Sequence, residues 1–416
     1  MKMPAVHVLS NGLRVVVAPC EAESVAFGLF IASGSRHERP EEAGISHFIE
    51  HMLFKGTPTR RAADITRAIE GRGGNFNAVT GEESTCYYVH LPCEYLEEAV
   101  DILSDMYLRA SVPEDEFMRE RQVVIEEIKM YEDDPDSVVF ENLQRAIFTR
   151  HPLGRPVGGK AETLMKMTPA KLRRYIREHY LPSNTIAVAV GRLDEDKAIE
   201  FMERRLGARR VRAGGFDPDR CAKLRFYPPV ASISAEKDVQ QTQYALGYRT
   251  FGVGDRRKYA AVVMDAVLGR GMSSRLFQEV REKRGLSYDI SSKMQFFSDA
   301  GMFMVSAGLD GSKLGLLRRT VDRELDRIRT RKVPAAELNR IKEFLVGNFR
   351  LAHERVTARM FFYGSTLLSF GRLVSTTEQV EGVRSVTSAD ILEVANAVID
   401  PSRRSESFVR PLAKGV

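Results

Sequence analysis

No apolar run of about 18 residues or more, the length a membrane-crossing helix needs, occurs in the 416-residue chain. No spanning helix is expected. The first residues, Met1 to Ser10, hold no apolar stretch of signal-peptide length and no small-residue cleavage site, and a Ser-Asn-Gly turn follows at once. The expectation is a mature chain that begins at or near Met1 and stays in the cytoplasm. Cysteine is scarce: Cys20, Cys86, Cys93 and Cys221 form no CxxC pair, which leaves neither a disulfide framework nor a cysteine zinc site and points to free thiols in a reducing compartment. A strong charge of one sign is also missing. Lys+Arg at 62 against Asp+Glu at 56 gives only +6, and the basic clusters at 60–61, 209–212 and 256–258 are short and scattered. Nucleic-acid binding would need one basic face with interleaved aromatics, so no nucleic-acid partner is expected.

What is present is the balance of a globular protein, 43% hydrophobic and 28% charged, written twice. A Gly-, Pro- and Arg-rich stretch from Gly207 to Pro229 reads as a linker. Before it come strands at 15–17 and 25–31, helices near 46–54 and 62–70, a β segment over 75–91 and a helix over 94–109. A long helix then opens at Pro113-Glu114-Asp115-Glu116. After the linker the same order returns: a strand at 243–248, helices at 258–268 and 274–283, strands at 287–297 and 301–307, a helix from 313 and a long helix from Pro334. The expected fold is α+β, two homologous domains at 1–213 and 214–416, each a mostly antiparallel sheet packed by helices.

The chemistry is concentrated in the first copy. Gly44-Ile45-Ser46-His47-Phe48-Ile49-Glu50-His51 lies on a helix, where at about 100° per residue His51 falls roughly 40° from His47 and one turn along. Both imidazoles can grip one cation, and Glu50, about 60° to the other side of His47, can hold a water beside it. That donor set suits zinc hydrolysis, in which the ion acidifies water and a carboxylate takes the proton. The order HxxEH is the inverse of HExxH. His37, His90 and His151 each stand alone in a loop or strand and are weak rivals.

A third ligand is needed. On the long helix Glu120 and Glu127 share a face within about 20° and lie roughly 10 Å apart, together with Val123, Val124, Ile128 and Tyr131, while Glu126 points with Arg119 and Gln122 toward solvent. Carboxylates on an inward face are costly unless paired or metal-bound. Glu127 is read as the ligand and Glu120 as a partner that orients a ligand histidine; pairing of both with surface lysines is the bland alternative.

With these residues the sequence resembles the inverted-motif zinc peptidases typified by pitrilysin, insulin-degrading enzyme and the mitochondrial processing peptidase, over nearly its whole length. Gly34 with Gly44 to His51 looks like the family signature, and the spacings to Glu120 and Glu127 match. Gly74 to Thr80 resembles the edge strand that holds substrate backbone near Asn77 and Ala78. Arg281 and Tyr288 resemble a pair that reaches the substrate carbonyl. The second copy has no histidine over 258–268, so one active site and one Zn2+ per chain follow.

The length is similar to the short, two-domain branch, in which two subunits close like a clamshell. The resemblance therefore implies a dimer, with an identical or a related chain. It also implies an endopeptidase that takes oligopeptides or unfolded segments as an added extended strand, with Glu50, Arg281 and Tyr288 as catalytic groups. The alternative is a catalytically silent core subunit of the same fold. Around the site, Glu82-Glu83, Glu94, Glu97-Glu98 and Glu132-Asp133-Asp134 would favour basic peptides if they line the chamber.

Overall fold

The computed structural model describes residues 3–208 and 225–412. Most of the expected linker, Cys221 and the basic cluster 209–212 fall outside the described residues. The chain divides into two compact units. The first takes the residues up to Ile128, those from Pro156 to 208, and Leu351–Ser375. The second takes Lys129–Arg155, residues 225 to Arg350, and those from Thr376 onward. Each unit thus borrows a segment from the other half of the sequence, an exchange that a single division at 213/214 does not include.

In the first unit β1 (Val6–Val8), β2 (Arg14–Pro19), β3 (Ser24–Ile31), β4 (Asn75–Thr80), β5 (Thr85–Pro92) and β6 (Thr185–Gly191) form one sheet in the order β1-β2-β6-β3-β5-β4. Only β2 and β6 run parallel. In the second unit β7 (Ser232–Lys237), β8 (Thr242–Phe251), β9 (Ser287–Phe296), β10 (Ala300–Leu309) and β11 (Ser405–Pro411) are ordered β7-β11-β8-β10-β9. Here only β7 and β11 are parallel. Setting β1 aside, both sheets run first, fifth, second, fourth, third along the chain, with the parallel pair in the same place. The duplication read from the sequence is a duplication of topology. In each copy the third strand, β4 or β9, is an edge strand.

Central strands are buried on both faces because successive side chains point to opposite sides. Val25, Phe27, Leu29 and Ile31 of β3 enter the main core with α1 (Ile45–Leu53), α2 (Ala62–Glu70), α3 (Leu96–Arg109) and Phe117, Val124, Ile125 and Ile128 of α4 (Glu114–Asp133). Ala26 and Phe30 enter a second cluster with Met360, Tyr363 and Leu367 of the helix Val356–Phe370. That helix sits close: a Cβ on Gly364 would lie 2.5 Å from the Phe30 ring. The second unit repeats the scheme, with α5 (Pro135–Ile147) covering the face that Ala245, Met302, Met304 and Val409 present. The two borrowed helices thus do the same work, each closing the second face of a sheet.

Candidate metal centre

Helix α1 is held by its apolar side. Ile45, Phe48, Ile49, Met52 and Leu53 are buried in the main core, which leaves His47, Glu50 and His51 half-buried on the opposite side. Its start is fixed by two devices. Gly44 takes a left-handed backbone, φ +93°, and a Cβ there would come within 2.5 Å of the Gly158 carbonyl oxygen. The buried carboxylate of Glu38 accepts from the backbone N–H of Gly44 and of Ser46, both at 2.8 Å, supplying acceptors to donors a helix start leaves unpaired.

Helix α4 is packed onto α1 through Phe48 and Phe117, whose ring centroids are 5.0 Å apart. One turn further along Glu120 is buried, and about two turns beyond it Glu127 is half-buried. Val124 and Ile128 are buried beside them, and Glu126 is exposed, as the helix periodicity predicts. Val123 and Tyr131 differ from the expectation: they are 50% and 45% exposed. The buried stripe of α4 is narrower than the sequence suggests, and its edge passes between residues 123 and 124.

The two helices bring three donors together. His51 Nε2 lies 3.3 Å from one oxygen of Glu127, and His47 Nε2 lies 3.8 Å from the other. One ligand atom from each of His47, His51 and Glu127 falls within 4.8 Å of the other two, and among the described residues no other such group of His, Cys, Asp or Glu occurs. The imidazoles meet edge to face, with centroids 4.8 Å apart. Burial first, and then the neighbouring His51, push the His47 imidazole below the ordinary histidine range, against the opposite pull of Glu127 and Glu50. His47 is therefore held neutral, the form that offers a lone pair to a cation.

Around this core, Glu120 spans two partners. One oxygen lies 3.3 Å from His51 Nδ1 and the other 2.5 Å from Lys55 Nζ. Glu50 accepts a hydrogen bond on Oε2 from the Thr80 hydroxyl at the end of β4. On the same strand Ala78 is buried and Asn77 exposed, with Asn77 Oδ1 accepting from the Ala78 N–H. β4 pairs with β5 on one side, and among the described residues no strand pairs with its other side.

The remaining sequence candidates stand elsewhere. Gly34 N–H donates to His37 Nδ1, His90 is 3.0 Å from the Ser24 hydroxyl, and His151 Nδ1 accepts from Leu153 N–H. None joins the cluster. In the second unit Arg281 and Tyr288 do meet each other: Arg281 lies over the Tyr288 ring at 4.2 Å, and Tyr288, on edge strand β9, is 78% exposed. The helix Lys258–Gly269 of that unit carries buried Asp265, bonded to Arg270 and Ser292.

Sequence reasoning missed Thr80, Lys55, Glu38 and the Gly158–Gly159 turn. Lys55 was within reach of it, four residues beyond His51 in the turn that follows α1. Thr80 and the Gly158–Gly159 turn act across long separations that one sequence does not reveal, whereas Glu38 lies only six and eight residues from the N–H groups it accepts from.

Comparison with known proteins places the chain among peptidases. Residues 14–161 match the model of Insulinase (Peptidase family M16), and residues 166–345 match that of the Peptidase M16 inactive domain. An uncharacterized zinc protease of Bacillus subtilis is 35% identical over 91% of this chain and 92% of its own length. One from Mycobacterium tuberculosis is 36% identical over 95% and 90%. Among solved structures, a protease from Helicobacter pylori superposes with TM-score 0.90 at 23% identity over 99% of this chain and 100% of that one. A chain of complex III2 from Candida albicans does so with TM-score 0.84 at 19% identity over 98% and 95%. At such identities these two likenesses speak for the fold alone.

Proposed function

The chain belongs to peptidase family M16, and from that premise we propose that it is a zinc-dependent endopeptidase hydrolysing oligopeptides or unfolded segments. One observation carries the reading: the donor atoms of His47, His51 and Glu127 lie within 4.8 Å of one another. Two imidazoles, one of them held neutral, and a carboxylate are a donor set that suits zinc and leaves a position open. Zinc bound there supplies Lewis acidity, which polarises a carbonyl and makes water acidic near neutral pH.

The chain's own residues do the rest. His47, His51 and Glu127 hold the ion, and Glu120 accepts at His51 Nδ1, which orients the ring. Glu50 takes the proton of the attacking water and passes it to the leaving amine. An extended peptide adds to the outer edge of β4 at Asn77 and Ala78, a mode that reads backbone more than side chains. Arg281 and Tyr288 donate hydrogen bonds to the carbonyl oxygen as charge develops on it. The metal set falls in the half of the chain assigned to 1–213, and among the described residues the half from 214 on carries no second one. The working form is a dimer with an identical or related chain, and the compartment is the cytoplasm.

A silent scaffold of the same fold is the alternative, and the complete set of His47, Glu50, His51 and Glu127 speaks against it. Glu50→Gln decides between them. It should keep its zinc and lose peptide cleavage; a wild-type chain that binds zinc yet cleaves none of a diverse peptide pool, as read by mass spectrometry, contradicts the proposal.

A further inference from the structure

The Glu50 carboxylate is anchored from another element of the fold. Thr80 ends β4, opposite Thr85 of β5, and its hydroxyl donates to Glu50 Oε2. Residues 78 and 80 project from one face of the strand, the face on which Ala78 joins the core with α1. Thr80 is β-branched and stiff at χ1, so the backbone of β4 fixes where its hydroxyl lies. Glu50, by contrast, has a long side chain with several rotatable bonds on a half-buried helix face. Without a partner its carboxylate would sample several rotamers.

The hydrogen bond acts on chemistry in two ways. It engages Oε2 and sets the plane of the carboxylate, so that Oε1 is the more available oxygen for a proton. It also ties the base to the strand that carries Asn77 and Ala78. We propose that Thr80 is the positioning residue for Glu50: through its hydroxyl, edge strand β4 both receives the peptide backbone and aims the carboxylate that serves the same peptide bond. This rests on the peptidase reading above and adds to it a residue and a link between binding and proton transfer. Placing both tasks on one rigid strand makes the distance between the seated backbone and the base a property of the fold.

The test compares Thr80→Val, which keeps shape and removes the donor, with Thr80→Ser, which keeps the donor. Thr80→Val should retain wild-type zinc content and melting temperature, hold KM within about twofold, and lose about 10- to 100-fold in kcat, the scale of a misplaced catalytic group. Thr80→Ser should recover most of that loss. Wild-type kcat in Thr80→Val, or a loss of zinc in parallel with activity, overturns the proposal; Thr80→Ala replaces the valine variant if the latter does not fold.

A second readout needs no turnover. In the metal-free protein carrying 13C at glutamate Cδ, the Glu50 line, assigned with Glu50→Gln, should move in Thr80→Val and stay in place in Thr80→Ser. An unmoved line in Thr80→Val overturns the positioning role. Undiminished cleavage by Glu50→Gln would instead overturn the assignment of the base, and a wild-type chain that cleaves nothing would overturn the peptidase reading, leaving the line shift to judge the Thr80–Glu50 bond.

Discussion

Glu120 and His51 are joined across two helices: an oxygen of the buried carboxylate lies 3.3 Å from the imidazole Nδ1. The ring's other nitrogen, Nε2, faces Glu127 at 3.3 Å. A carboxylate on the far nitrogen fixes the tautomer and makes the near one a better donor. Lys55 holds the second oxygen of Glu120 at 2.5 Å, so the buried charge is paired on both sides.

Glu120→Gln is expected to weaken zinc binding by about 10- to 100-fold without abolishing it. Chelator competition on the purified variant measures this. An affinity equal to wild type would remove Glu120 from the role.

The start of α1 should tolerate no side chain at residue 44. Gly44→Ala must take φ +93° with its Cβ about 2.5 Å from the Gly158 carbonyl oxygen. Such strain costs on the order of 1–3 kcal/mol or more, and because α1 carries both histidines, zinc affinity should fall with stability. Denaturant melts and zinc titration of the same preparation check both.

His179 gives a pH dependence. Burial first, then the neighbouring His37 and Arg39, push its pKa down to about 3, while it stacks on Tyr175 and bonds the Ser33 hydroxyl. Between pH 3 and the unfolded value near 6.5 the unfolded chain binds this proton and the folded chain does not, so stability rises with pH across that window. The contribution is fully present above about pH 6.5 and is lost as the pH falls toward 3. Urea unfolding at pH 7.5 and pH 5 should show the loss, and His179→Gln should show less of it.

The sequence carries the chemistry more completely than the architecture. The His47, Glu50 and His51 face follows from helical period alone, since the apolar residues between them must turn inward. Glu127 follows from the cost of placing a carboxylate beside Val124 and Ile128. The duplicated sheet follows from strand order. The exchanged helices do not: Val139, Leu143 and Ile147 on α5, like Met360, Tyr363 and Leu367, announce an apolar face but not which sheet it covers. Thr80 was hidden for a similar reason. A threonine that ends a strand reads as β-propensity, and only the fold brings it to a residue thirty positions away.

The central claim is that His47, His51 and Glu127 hold one zinc ion together. Elemental analysis of the purified wild-type chain and of Glu127→Ala tests it most directly. The account predicts about one zinc per chain in the wild type, the stoichiometry of a three-ligand catalytic site, and almost none in a folded Glu127→Ala variant. Full zinc retention in that variant, or a wild-type chain that takes up no zinc, would contradict it.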